Sequence, residues 1–158
     1  MRITITPYNL KTSELRKITE KVVHNLPELD LECEHAEARL LICDNFFTSC
    51  RPEHFRNVLM SLISKIRLGG TLQINTLDIP RLCREVSKGN INTKEFNNFV
   101  FSDLQQARSF GIDYSDLLSY AESIEGQLGL RFEKRVSFDS QPMVQVTMQR
   151  VQIPAGGN

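Results

Sequence analysis

The sequence predicts an α/β domain with a mainly parallel sheet, helices on both faces and a C-terminal antiparallel hairpin. A continuous apolar run, "LLICDNFF" at 40–47, suits a strand that is buried on both faces. An amphipathic helix, two glycines and a further apolar segment follow it, which is the order of a βαβ unit. Near the end, "LRFEKRVSF" and "MVQVTMQRV" alternate with period two, as paired strands do.

Length and composition indicate one globular domain. The chain has 158 residues, of which 41% are hydrophobic and 24% charged. We therefore predict a single domain over 1–151 and a C-terminal tail over 152–158. Nineteen basic residues balance nineteen acidic ones, so no net charge favours nucleic acid as a partner. No segment is long and apolar enough to span a membrane, and the N-terminus does not resemble a secretory signal, so we expect a cytoplasmic protein.

The first forty residues are predicted to hold two strands and a helix. "RITITP" alternates as a strand does, and "ELDLEC" at 28–33 is a candidate second strand. Between them, "KTSELRKITEKVVHNL" predicts a helix whose apolar stripe comprises Leu15, Ile18, Val22 and Leu26.

The clearest predicted helix is "RPEHFRNVLMSLISKIRLGG", at 51–70. Pro52 suits its first turn, and Lys65 and Arg67 would complement the negative end of the helix dipole. Gly69 is predicted to be the left-handed residue that ends the helix, before the strand "TLQIN". Further helices are expected after Pro80, after Asn92 or Thr93, and after Asp113 or Ser115.

This order of elements resembles the C-terminal half of the class I S-adenosylmethionine-dependent methyltransferases. The resemblance rests on "LLICDNFF" and "KIRLGGTLQI", and it covers Glu34 to Val151. It implies a truncated Rossmann-like fold in which a cofactor would lie near the strand ends. Asp44, Asn45 and Phe46 would then line a remnant of the cofactor pocket; the equal alternative is that Asp44, or Ser49 with Pro52, begins the next helix. The chain also resembles short methyltransferase-like proteins of bacteriophages.

The features that hold the cofactor in that family are missing or displaced here. A Gly-x-Gly loop follows the first strand in the family, whereas this strand runs into "TPYN" and all eight glycines lie at Gly69 or later. The family's second strand ends in an acid that accepts from the ribose hydroxyls. Asp30 or Glu32 could take that role, but a solvated acidic turn is the favoured interpretation. We therefore expect no catalytic residue and no cofactor, with S-adenosylmethionine as the alternative.

Two other groups of residues could form a functional site. Cys33, His35, Cys50 and His54 could bind zinc, but they lack C-x-x-C spacing, and reduced, partly buried thiols are the favoured interpretation. His54 with Asp44 could form a general base and its orienting group, against the alternative of a surface imidazole. The sequence has no Gly-x-Ser-x-Gly elbow and no Walker loop.

Two functions follow from these expectations. The first is a degenerate, non-catalytic methyltransferase-like domain that serves protein interaction or assembly, as a homo-oligomer or in a complex, including a virus particle if the bacteriophage resemblance holds. A truncated sheet exposes an edge that must be paired, covered or charged. The alternative is an active S-adenosylmethionine-dependent methyltransferase with a minimal or composite cofactor site. Neither nucleic acid nor a membrane is an expected partner.

Overall fold

Six strands form one mixed sheet in the order β2-β1-β3-β4-β6-β5 in this computed structural model, which describes residues 1–6, 20–101, 112–139 and 142–153. The strands are β1 (Arg2–Ile5), β2 (Lys21–Val23), β3 (Ala38–Asp44), β4 (Ile66–Leu77), β5 (Phe132–Phe138) and β6 (Met143–Arg150). The first four are parallel, and β6 runs antiparallel to both β4 and β5. The predicted fold class is therefore confirmed, including the closing hairpin.

Five α-helices lie in the described part of the chain. They are α1 (Leu26–Glu32), α2 (Phe55–Lys65), α3 (Ile79–Ser87), α4 (Thr93–Phe101) and α5 (Tyr114–Leu128), with short 3-10 turns at Phe46–Ser49 and Pro52–His54. The helices predicted after Pro80, Asn92 and Asp113 are confirmed. Asp113 caps α5 by accepting from Ser115 N, and Gly129 ends it in the left-handed conformation. Among the described residues, no helix combines the length and the apolar character needed to cross a membrane.

The two faces of the sheet differ in polarity. On one face, strand pairing aligns Ile3 with Leu41 and Leu41 with Leu72, and these side chains join the core formed with α2 and α5. On the other face, Gln73 of β4 pairs with Thr147 of β6, and both are only half buried. The apolar face of β1, β3 and β4 is therefore buried in the core, whereas amides and hydroxyls lie on the opposite face of β4 and β6.

The N-terminal elements correct two predictions. Val22, expected on a helix, lies in β2, where the β-branched pair Val22-Val23 suits a strand that runs parallel to β1. The predicted strand "ELDLEC" is helical instead. Asn25 caps α1 by accepting from Glu28 N at 2.8 Å, and Pro27 occupies the first turn, so local helix-start chemistry outweighs the short apolar alternation. Most of the helix predicted over 11–26 falls at 7–19, outside the described residues.

The end of α2 also differs from expectation. Helix α2 stops at Lys65, and Ile66 is already extended, so Gly69 does not end this helix. The Lys65 ammonium is buried rather than solvated. It donates to the Cys33 carbonyl oxygen at 2.7 Å and pairs with Asp30 at 2.7 Å. The lysine therefore fastens α2 to the end of α1.

The two glycines belong to a bulge at the start of β4. Ala38 of β3 pairs with Ile66, whereas Leu40 pairs with Thr71, so β4 carries extra residues between these pairs. Gly69 has φ of 75°. A Cβ on Gly70 would lie 2.6 Å from the Ala38 carbonyl oxygen. The glycines therefore let β4 return to close pairing with β3 after the bulge.

Candidate functional site

The carboxyl edge of the parallel strands contains the topological switch point of the sheet. Strand β1 pairs with β2 on one side and with β3 on the other, and ligands of open α/β sheets bind outside the carboxyl ends at such a point. In the described part of the chain, Thr6 follows β1, His24 follows β2, and Asp44 ends β3. These three positions frame the candidate site.

At the end of β3, polar side chains link two neighbouring strands. Asp44 Oδ1 accepts from Asn75 Nδ2 at 3.0 Å, and Asn75 Oδ1 accepts from Gln73 Nε2 at 3.2 Å. Asn45 adopts a left-handed conformation with φ of 52°, and its N–H donates to the Asn75 carbonyl oxygen at 2.9 Å. Asparagine tolerates this conformation better than most residues, which accounts for Asn45 at the turn.

A polar cleft of about 420 Å³ opens between the ends of β3 and β4 and the β5–β6 hairpin. Its lining includes Asp44, Asn75, Phe138, Asp139 and Gln145. Its described lining residues include two carboxylates and no basic side chain, so its chemistry suits a polar or cationic molecule. At the neighbouring surface, the Arg81 guanidinium lies 5.3 Å from the centre of the Phe138 ring.

A second cavity, of about 580 Å³, lies between α1 and α2 and is mainly apolar; we call it the apolar groove. Leu26, Pro27, Phe46 and His54 are among its lining residues. Burial raises the pKa of the Cys50 thiol, which also lines it, to about 11. This thiol is therefore neutral at pH 7 and is a poor nucleophile and metal ligand.

The ends of β1 and β2 are joined by the protein's own groups. Thr6 N donates to the Val23 carbonyl oxygen at 3.1 Å, and His24 Nδ1 lies 3.2 Å from the Thr6 carbonyl oxygen. The Glu28 carboxylate accepts from His24 N and from Asn25 Nδ2, both at 2.8 Å. The residue after β2 is thus an imidazole, and the nearby carboxylate already accepts from two protein donors.

The predicted pocket residues lie at the carboxyl edge but not in one cavity. Asp44 lines the polar cleft, Phe46 lines the apolar groove, and Asn45 forms the turn between them. Their role toward a cofactor stays a prediction. Asp30 and Glu32 do not follow a strand, because both lie on α1, where they pair with lysines.

His24 was missed from the sequence. It follows "KVV", which matched a helical stripe, so no strand end was expected there. The feature that could have indicated it is the pair of β-branched valines before His24, followed at once by the helix-start signal of Asn25 and Pro27.

The alternative constellations are not assembled. His54 and Asp44 line different cavities, and no hydrogen bond joins them in the described part of the chain. Cys33 is buried, with its thiol donating to the Glu34 carbonyl oxygen at 3.5 Å. Across the ranges that the structure describes, no three His, Cys, Asp or Glu residues lie close enough together to hold a metal ion. The zinc hypothesis has no site among these residues.

No protein-family model matches the sequence, and no curated protein matches it either. Among solved structures, a SAM-dependent methyltransferase from Archaeoglobus fulgidus matches with a TM-score of 0.56 at 11% identity, over 93% of this chain and 75% of that chain. A SAM-dependent methyltransferase from Thermotoga maritima, described as a possible histamine N-methyltransferase, gives 0.54 at 15% identity, over 94% and 72%. The fold is that of the class I methyltransferases. A possible exported protein from Bordetella parapertussis gives 0.59 at 13% identity, over 95% and 61%.

The likeness in fold extends over more of the chain than the sequence indicated. The resemblance was expected to begin at Glu34, but the matches cover 93% to 95% of the chain, so the N-terminal strands belong to the shared fold as well. The chain spans 61% of the Bordetella protein, less than two thirds of its length. At identities of 11% to 15% the likeness concerns the fold. The bacteriophage resemblance stays a prediction.

Proposed function

We propose that this methyltransferase-like domain is non-catalytic and acts as a protein-interaction or assembly module, in a homo-oligomer or a stable complex. The observation that carries the proposal is the arrangement after β2. The class I methyltransferases resembled by this chain end their second strand in an acid that accepts from the ribose hydroxyls. Here that position is His24, whose ring lies beside the Thr6 carbonyl oxygen.

The electrostatics of this corner also support the proposal. An imidazole cannot replace a carboxylate as the acceptor of two hydroxyl donors, because a neutral ring has a single acceptor nitrogen. Glu28 is the carboxylate that accepts from His24 N, and both of its oxygens accept from protein donors. A ribose would have to compete with these bonds, which also cap α1 and hold its first turn.

Exposed apolar side chains favour an interaction role. Leu31 is 87% exposed, Leu68 57% and Ile153 55%. Single exposed leucines are common on soluble proteins, but Leu68 and Ile153 line the same pocket. Clustered apolar exposure of this kind marks surfaces that contact other proteins.

Isothermal titration calorimetry with S-adenosylmethionine and S-adenosylhomocysteine tests the proposal. We expect no binding tighter than about 100 μM, which corresponds to about 5.5 kcal/mol. Asp44→Ala is the matched variant, since Asp44 lies at the candidate site and is only half buried. Tighter binding that Asp44→Ala weakens would overturn the non-catalytic assignment. Light scattering at micromolar concentration tests assembly, and a monomer without partners would count against that part.

An active methyltransferase is the second candidate, and the apolar groove favours it. Its volume of about 580 Å³ falls within the range of about 300–1,000 Å³ typical of small-molecule sites, and Phe46 is among its lining residues. In this candidate the ribose would bind without an acidic residue after β2, because that position is His24. Phe46→Ala should abolish cofactor binding if this second candidate is correct, while His54→Ala, at the same groove, should change it less.

A further inference from the structure

The amino edge of the sheet, opposite the candidate site, carries a small pocket whose lining includes Leu68, Leu130, Arg131, Arg150 and Ile153, which we call the amino-edge patch. It is formed by the bulge of β4, the segment after α5 and the segment after β6. None of these residues lines either cavity at the carboxyl edge. The patch is therefore separate from the candidate cofactor site.

Backbone geometry holds Leu68 in its exposed position. It sits on the bulge between Ile66 and Thr71, next to Gly69 with φ of 75°, and Gly70 packs against the Ala38 carbonyl oxygen. Bulges of this kind re-aim side chains at sheet edges. The bulge therefore holds Leu68 exposed beside the exposed Ile153, so the two side chains form one apolar surface.

The charge of the patch is one-sided. Among the described residues, its lining includes two guanidinium groups and no carboxylate. Arg150 is fixed by donating from Nη1 to the Ile66 carbonyl oxygen at 2.7 Å. Arg131 is exposed and has no ion pair among the described residues, while its carbonyl oxygen accepts from Val151 N at 2.9 Å. The positive groups thus border the apolar surface of Leu68 and Ile153.

The size of the pocket limits its occupant. At about 250 Å³ it falls below the range of about 300–1,000 Å³ for small-molecule sites, so it suits one or two aliphatic side chains of a larger partner. We propose that the amino-edge patch docks an acidic peptide segment of a partner protein, with an aliphatic side chain against Leu68 and Ile153 and carboxylates on Arg131 and Arg150. Guanidinium forks match carboxylates in geometry and charge. This inference rests on the proposed interaction function and names its surface.

Fluorescence anisotropy on the full chain tests the inference with two labelled peptides, (Leu-Glu)₃ and (Leu-Lys)₃. We expect the acidic peptide to bind at least tenfold more tightly than the basic one, and less tightly at high salt. Leu68→Ser should weaken its binding about tenfold, and Arg131→Glu should reverse the preference between the peptides. Leu31→Ser is the matched control, because Leu31 is an exposed leucine on α1, outside the patch.

Several results would overturn the inference. These are equal binding of the two peptides, no binding of the acidic peptide at 1 mM, or equal losses in Leu68→Ser and Leu31→Ser. A homodimer that dissociates only in Leu68→Ser would assign the patch to a second copy of the chain instead. The calorimetric titration with S-adenosylhomocysteine is independent of these outcomes. Cofactor binding together with specific peptide binding would refute the non-catalytic function and leave the docking surface standing.

Discussion

Substituting the glycines one at a time tests the account of the β4 bulge most directly. A Cβ on Gly70 would meet the Ala38 carbonyl oxygen at 2.6 Å, the Arg67 carbonyl oxygen at 2.9 Å and Ile66 Cγ2 at 3.1 Å. Two of these three atoms belong to the backbone and cannot rotate away. Overpacking in a close-packed site costs about 1–3 kcal/mol, and this contact lies at the upper end, so we expect Gly70→Ala to lose about 3 kcal/mol.

Two other glycines give matched controls. Among the described residues, nothing lies within 4 Å of a Cβ on Gly69, so the only cost of Gly69→Ala is the left-handed backbone conformation. We expect this to lower the free energy of unfolding by about 1–2 kcal/mol. Gly126 lies within α5 and also has open space, so Gly126→Ala should raise stability by up to about 1 kcal/mol.

Unfolding by urea and by heat, each followed by circular dichroism, measures the stability of the three variants. For a protein of this size each kcal/mol shifts Tm by about 2–4 °C, so Gly70→Ala should melt about 6–12 °C below the wild type. The reasoning fails if Gly70→Ala loses less than about 1 kcal/mol, or if Gly69→Ala loses as much as Gly70→Ala. Either result would mean that β4 does not return to β3 as tightly as the structure has it.

Three further predictions concern titratable groups. Burial raises the pKa of the Asp78 carboxyl, so its favourable contribution to stability is complete below pH 3.8 and is lost as pH rises through the raised pKa. Asp78→Asn should therefore resist urea better than the wild type at pH 7 but not at pH 3.5. Hydrogen bonds from Ser115 lower the pKa of Asp113, so the stability that Asp113 contributes is present above pH 3.8 and is lost as pH falls through the lowered pKa. Asp113→Ala should lower the free energy of unfolding by about 1 kcal/mol at pH 7, as measured by urea unfolding. No loss at pH 7 would contradict the capping role of Asp113. Cys83 is exposed, whereas burial raises the pKa of the Cys50 thiol to about 11. A thiol reagent at pH 8 should therefore modify Cys83 before Cys50, as measured by peptide mass spectrometry. Faster labelling of Cys50 would contradict its burial.

Much of the fold could be predicted because its strongest signals are local. The stripe of α2, the capping residues before α4 and α5, and the alternation in β5 and β6 each reflect interactions within a few residues or between neighbours joined by a turn. The βαβ unit followed from the apolar run at 40–47 and the handedness of crossovers. Burial of β3 on both faces made that run easy to recognise.

The errors arose where distant contacts decide the structure. Strand β2 has only three residues, too few to show a period, and it is defined by its pairing with β1 across the intervening chain. The position of Gly69 depends on how β4 approaches Ala38, which no local pattern reports. Because the end of β2 was misplaced, the residue at the switch point was sought at Asp30 and Glu32 instead of His24.

The placement of β1 inside the sheet has a consequence for biosynthesis. This strand leaves the ribosome first, yet its two partners are β2 and β3, and the second of these ends only at Asp44. The β5–β6 hairpin, by contrast, can close within microseconds once its turn is made. We therefore expect the first-made strand to wait, unpaired, for later segments. Chaperones that shield nascent apolar chain would act on β1 during this interval.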